Sequence, residues 1–273
     1  MNAISAVPLL QHTGRVTQLR VAVSEWTKIR SVRSTRWSLL VAVILTIGLP
    51  CLFAAVTASH WSHMSSQEQA NRHPLEIATA GVNLSQLAIA VLAVLTITAE
   101  YSTGMIRASF TAVPKRLPVL WAKLGVFSAI TFVLALPSVF IAFWASQAIL
   151  HGHPTLTASL SDPGVARTVI GGALYLVLIG IFAMALGAII RNTAGGISIF
   201  AAIFFVIPPL LNILPTSWND AISPYIPDAA ARSVFQLTHD SGSLAPGPGA
   251  LLFCGYCALA IAVAAVLLVR RDT

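Results

Sequence analysis

Charge is what this chain has least of. Asp, Glu, Lys and Arg make up 9% of its 273 residues, and only nine are acidic, while 56% are hydrophobic and the mean hydropathy is +0.82. Soluble domains carry about a quarter charged residues, so the composition excludes a water-facing globular domain and makes lipid the relevant solvent. Cysteine is scarce as well. Cys51, Cys254 and Cys257 all fall inside apolar runs, which excludes a secreted-type disulfide scaffold and a thiol-rich metal cluster. Catalytic signatures are also missing. Without a GxxxxGK[ST] phosphate loop the chain cannot hydrolyse nucleotide by that route alone, so any ATPase is expected to be a separate chain. HExxH, a GxSxG elbow and Asp within any apolar run are absent too, and neither catalytic residues nor an enzyme is expected.

Long apolar runs are abundant. Six are long enough to cross a hydrocarbon core of ~30 Å, for which ~20 helical residues are needed: Trp37–Ala58, Ala80–Ala99, Lys123–Ala148, Val169–Ile190, Gly195–Leu214 and Gly249–Val269. Their hydrophobicity is continuous rather than alternating, which excludes a closed barrel and leaves an all-α polytopic membrane protein. Residues 1–36 form an N-terminal segment, and 37–273 the six-helix transmembrane domain. The first run starts too far in and is too long for a cleavable leader, so it is expected to stay as a signal anchor. No lipidation motif is found.

The sign of the charges sets the orientation. Arg15, Arg20, Lys28, Arg30, Arg33 and Arg36 precede the first run; Arg107, Lys115, Arg116 and Lys123 surround the second connection; Arg191, Arg270 and Arg271 share that side. Opposite them stand only Arg72, Arg167 and Arg232, together with six of the nine acids. Positive charge stays inside, so both termini are expected in the cytoplasm of a multi-pass protein of a bacterial plasma membrane. Net charge of +7 is thereby accounted for without nucleic acid.

Ahead of the first run, Val16, Leu19, Val23 and Trp26 recur at helical spacing, with Arg20, Thr27 and Lys28 on the other side. This predicts an amphipathic helix in the cytoplasmic interface, against the plainer alternative of a positively charged flank. Arg30 and Arg33 rotate onto its apolar face and are expected to snorkel to lipid phosphates. Two polar stretches after the first and third runs read as solvated outer connections. Between the fifth and sixth, Pro215–Gly249 carries Trp218, Ile222, Tyr225, Ile226, Val234, Phe235 and Leu237, so short helices covering the outer end of the bundle are expected, ending in a flexible turn over Ser241–Gly249.

Inside the runs, Pro50, Pro137 and Pro208–Pro209 are expected to bend their helices. Gly172, Gly180, Ala183 and Gly187 permit close helix contact, within the chain or across a dimer. Polar candidates are few: Asn83, Ser85, Gln86, Gln147 and Asn212. Interhelical hydrogen bonding is the plain reading of all five; the functional one is that Asn83 and Gln86, one turn apart, face a substrate path. Six of seven histidines fall on the outer side, and HWSH and HGH lack the Cys or paired carboxylates that would support a metal site.

The segment EYSTGMIRASFTAVPKR, Glu100–Arg116, follows the second run. Ser102 or Thr103 can cap a new helix on which Ile106, Phe110 and Val113 recur at i, i+4, i+7, Arg107 lies on another face, and Pro114 stops it. Such a short knob suits a groove on another protein; the alternative is a helix resting on headgroups. Docking is favoured because lipid binding alone explains neither Glu100 nor the cap. Together with SEWTKIRSVRSTRWSLL (Ser24–Leu40) and SWNDAISPYIPDAA (Ser217–Ala230), this segment resembles the permease subunits of ABC-2-type transporters, particularly those of high-GC actinobacteria. Met105 departs from the small polar residue frequent there.

The resemblance implies a six-helix permease with a connecting helix at the N-terminus, a coupling helix between spans two and three, and short outer helices between spans five and six. It places Glu100, Tyr101, Thr103, Gly104, Ile106, Arg107 and Phe110 in the coupling segment, and Glu25, Trp26, Lys28 and Arg30 in the connecting helix. It implies two ABC ATPase subunits carrying ATP and Mg and a second permease subunit in a homo- or heterodimer working as an exporter; the near absence of formal charge in the runs points separately to an apolar or amphipathic substrate such as a drug, lipid or peptide. The competing reading is a non-transporting membrane scaffold or immunity protein.

Overall fold

The computed structural model describes residues 17–70, 72–102, 116–237 and 244–270. All regular structure among them is helical, and six helices are long and apolar enough to cross a membrane. A short helix α1 (Gln18–Ser31) leads into α2 (Arg33–His60). The small helix α3 (Ser66–Ala70) follows, then α4 (Pro74–Ser102), α5 (Arg116–Leu150) and α6 (Val165–Ile190). The fifth long segment, Thr193–Leu211, consists of α7 (Thr193–Ala201), a π-helical turn (Ala202–Val206) and α8 (Ile207–Leu211). Two short helices, α9 (Thr216–Ile222) and α10 (Pro227–Arg232), precede α11 (Pro246–Arg270).

Five of the six membrane-length helices are longer than a hydrocarbon core is thick. At 1.5 Å per residue, the 35 residues of α5 span about 52 Å, against ~30 Å of hydrocarbon, so both ends reach polar surroundings. The bundle is centred on α4 and α6, which bury more than half of their membrane-length stretches, whereas α2 and the fifth segment bury less than a quarter. Helix α2 lies against α4 and α5 on one flank; α7 and α11 lie against α6 on the other.

Burial on α2 is the reverse of a soluble helix. Thr35, Ala42, Thr46, Pro50, Ala54 and Thr57 form one narrow inward stripe, while bulky Ile44, Leu52 and Phe53 face outward. With lipid outside there is no hydrophobic reward for turning large side chains in, so small residues that let backbones approach, and hydroxyls that bond across, occupy the contact. Thr46 Oγ1 and Ser85 Oγ are 2.7 Å apart, and both hydroxyls donate to the carbonyl of Ala42. Gly81 on α4 packs directly on this spot. A Cβ there would lie 2.5 Å from the Thr46 carbonyl oxygen and 2.8 Å from Pro50 Cδ. Pro50 has no N–H to bond that carbonyl, which leaves it available to the neighbouring helix.

The small residues of α6 serve contacts within this chain. Gly172 faces Val82 and Val139, Gly180 faces Phe127 and Ile89, and Gly187 faces Ile97 and the backbone of Val94. The sixth run begins earlier than the sequence suggests, because Pro246–Gly249 is the first turn of α11 rather than a flexible turn. Proline is tolerated there since first-turn N–H groups have no intrahelical partner. The stretch after α2 is also more ordered than a plain solvated loop. Ser65 and Glu68 form a capping box that starts α3, with Ser65 N–H donating to Glu68 Oε2 at 2.8 Å and Glu68 N–H to Ser65 Oγ at 3.3 Å. Ahead of Pro208 and Pro209, the fifth segment widens into its π-helical turn, where Phe200 and Phe204 stack at 4.5 Å and pack with Phe182 and Phe253.

Candidate functional site

Helix α1 stands on the base of the bundle through a face that its apolar periodicity does not predict. Val21, Glu25 and Ile29 point inward, whereas Leu19, Val23, Trp26 and Arg30 are exposed. Glu25 and Lys28, at i and i+3, therefore meet two further charges. One is Glu100, two residues before the end of α4; the other is Lys123, two turns into α5.

The four make a closed quartet. Lys28 Nζ lies 2.7 Å from Glu25 Oε1 and 2.8 Å from Glu100 Oε1; Lys123 Nζ lies 2.6 Å from Glu25 Oε2 and 2.7 Å from Glu100 Oε1. Glu25 and Lys123 are each 2% exposed. Two ammonium and two carboxylate groups cancel, which is what permits them to leave water together, since an unpaired ion so placed costs several kcal/mol. Burial pulls the Lys28 ammonium down, but hydrogen bonds and charge from Glu100 and Glu25 outweigh it and hold its pKa above the ordinary 10.5. Glu100 Oε2 is buried without a hydrogen-bond partner among the described residues.

The next residue, Tyr101, carries the Arg191 guanidinium over its ring at 5.1 Å. Arg191 ends α6 in the left-handed region, φ 56°, and its Nη2 donates to the carbonyl of Leu267 near the end of α11 at 3.2 Å. Thr98, one turn before Ser102, shares a hydrogen bond of 2.7 Å with Thr193 at the start of α7. The last turn of α4 is thus tied to α1, α5, the α6–α7 corner and α11 at the point where segment 103–115 leaves it. Thr103, Gly104, Ile106, Arg107 and Phe110 lie outside the described residues. Glu100 has an inward role here, so its presence no longer counts as a sign of docking by that segment.

Lys123 is the residue that reasoning from the sequence missed, having been taken only as part of a basic flank. A signal for it existed. On the Lys- and Arg-rich side only Glu25, Glu100 and Asp272 are acidic, and two acids next to membrane spans need cations close by.

At the opposite end of the bundle a cavity of about 500 Å³ opens between the first turns of α4 and α6 and the chain after α10. Asn83 lines it; Gln86 does not, being fully buried and accepting a hydrogen bond from Tyr175 Oη. Arg232 at the rim is held by Asp228, Nε to Oδ1 2.9 Å. Burial raises the Asp228 carboxyl against the pull of Arg232, and Asp228 with Tyr175 raises the Arg232 guanidinium against its burial. Gln147 Oε1 accepts from Ala158 N–H at 2.8 Å and so fastens the α5–α6 connection, and the HWSH and HGH stretches meet through the rings of Trp61 and His153, 5.6 Å apart. Compared with known proteins, the chain matches no protein-family model and no curated protein.

Proposed function

We propose that this chain is the membrane-spanning subunit of an ATP-binding cassette exporter of the ABC-2 type. It moves an apolar or amphipathic cargo out of the cytoplasm of a bacterium, with ATP and Mg on two separate ATPase subunits and a second permease subunit completing the assembly. In this reading the quartet end is cytoplasmic, α1 is the connecting helix and the exposed stripe Leu19, Val23 and Trp26 rests in the headgroup layer. Segment 103–115 is the coupling element.

The observation that supports it most is the convergence at the end of α4. Force applied to a segment anchored at Ser102 and Arg116 enters α4 and α5 within two turns of Glu100 and Lys123, and the quartet passes it to α1. Tyr101 passes it to the α6–α7 corner through Arg191. Paired charges suit this task, because buried ion pairs resist separation and favour rigid-body movement over local bending. The sparsely covered flanks of α2 and the fifth segment leave room for a second permease.

The test is co-purification with the ATPase encoded nearest to this chain. Ile106→Asp and Phe110→Asp should leave the protein in the membrane yet abolish both ATPase capture and transport. Capture that survives both substitutions would count strongly against this reading.

A further inference from the structure

We infer that the elbow between α1 and α2 is a binding site for an anionic phospholipid, with the phosphate at the first turn of α2 and the upper acyl chain against α4. The site needs only a membrane around the chain, so it holds for a scaffold as well as for a transporter.

A cavity of about 360 Å³ lies beside the quartet, at the lower end of the range of ligand pockets. Ile29, Val32, Leu92, Leu95 and Ala99 give it apolar walls, and Val32 and Ala99, both exposed, mark its open side. Its polar edge is the start of α2. Val32 caps that helix without a side-chain hydrogen bond, so the N–H groups of the first turn keep their donors. Thr35, 8% exposed, lines the cavity in the same turn, and its hydroxyl has no hydrogen-bond partner among the described residues. That oxygen is not sealed inside the bundle, and the space it reaches is this cavity.

The charges decide the sign of the ligand. Glu25 and Glu100 are the acids at this place, and Lys28 and Lys123 cancel them. The ends of α1 and α4 each add roughly half a negative charge, and the start of α2 roughly half a positive one. Arg30, Arg33 and Arg36, one before the elbow and two after it, are exposed and enter no ion pair among the described residues. Three full positive charges outweigh the small negative remainder, so an anion is favoured. The apolar walls then choose between anions. Free phosphate leaves Leu92 and Leu95 uncovered, whereas a phospholipid covers them with its chain, and both belong to the last turns of a membrane-length helix.

Dioleoylphosphatidylglycerol, added to the purified chain in a neutral detergent, is a suitable probe, read by mass spectrometry of the retained lipid and by melting temperature. Saturable retention and a rising melting temperature are expected, with phosphatidylcholine of the same chains several-fold weaker. In R33Q/R36Q the anionic lipid should bind about tenfold more weakly, because two charge-assisted contacts are lost. Thr35→Val, which removes a hydroxyl at nearly constant volume, should weaken it several-fold, and Leu95→Trp, which fills the apolar end, should weaken it too. Arg20→Gln, three turns before the end of α1, should change nothing. Without lipid, R33Q/R36Q and Arg20→Gln should melt with the parent, since all three side chains are exposed. The inference is overturned if the two lipids bind alike, if inorganic phosphate stabilises the chain as much as phosphatidylglycerol does, or if Arg20→Gln weakens binding as much as R33Q/R36Q. Unchanged affinity in both R33Q/R36Q and Leu95→Trp also sinks it.

Discussion

Lys123 and Glu25 are the most deeply buried charges described, and each is tolerable only because of the others. Replacing Lys123 by Met leaves two carboxylates facing Lys28 alone, with the far oxygen of Glu25 stripped of its cation. Removing one partner of a buried pair costs about 3–5 kcal/mol, and a comparable loss is expected here. Combining Glu25→Leu with Lys123→Met keeps the neutral pair Lys28–Glu100 and should cost less than either single change. Thermal unfolding in detergent across this double-mutant cycle measures the coupling, and additive losses would refute it. The pH dependence has a definite sign. Lys28 binds its proton more tightly in the folded chain, so its contribution is complete below 10.5 and is lost only as pH rises above that value through the folded-state pKa. In a chain stripped of its own cysteines, labelling of Val21→Cys on the buried face of α1, taken as a ratio to labelling of Leu19→Cys on its exposed face so that the growing thiolate fraction cancels, should stay flat from pH 7 to 10 and rise beyond 10.5.

Between helices, the deciding quantity is how near two backbones come. Gly81 and Gly125 are both helical, and intrinsic propensity predicts the same modest gain for Ala at each, about 1 kcal/mol. The surroundings differ. At Gly81 a methyl group meets the Thr46 and Leu45 carbonyl oxygens at 2.5 and 2.6 Å, atoms of a helix that can yield only by moving as a body, whereas nothing lies within 4 Å of a methyl group at Gly125. Gly81→Ala should therefore cost about 1–3 kcal/mol and loosen α2 from α4, while Gly125→Ala should be neutral or stabilising. Melting temperatures of the two variants give the comparison, and equal values would show that α2 and α4 are not in close contact. How much of this was readable beforehand follows from the same residues. Pro50 and the glycines of α6 were visible as close-packing sites, but their partners were not, because small residues carry no information about which helix fills the space they leave.

For the whole molecule, six helices are long and apolar enough to cross a membrane, and an even number of crossings would put Thr17 and Arg270 on one side whichever way the protein is inserted. The distribution of Lys and Arg is expected to make that side cytoplasmic. A reporter active only in the cytoplasm should then work when fused after Thr273, and a cysteine placed at His151 should be labelled by a reagent that does not cross the membrane. The opposite pattern would reverse the roles proposed for the two ends and move the quartet away from any ATPase. Flank coverage is uneven, with α4 and α6 inside and α2 and the fifth segment outside, so lipid or another subunit completes the surface.

The sequence by itself determined an all-helical fold and six segments long and apolar enough to cross a membrane, because each follows from residue counts over about 20 positions and from transfer energies that need no partner. It also marked Glu25, Lys28 and Glu100 as residues of interest, though for connecting and docking rather than for binding one another. Only the tertiary structure decided that these three close around Lys123, that Asn83 opens to a cavity while Gln86 turns to Tyr175, and that the apolar stripe of α1 faces away from the protein. Those outcomes depend on which helices become neighbours and at what rotation. A leucine and a tryptophan gain nothing from protein that lipid would not give them, whereas two carboxylates and two ammonium groups, once out of water, need one another.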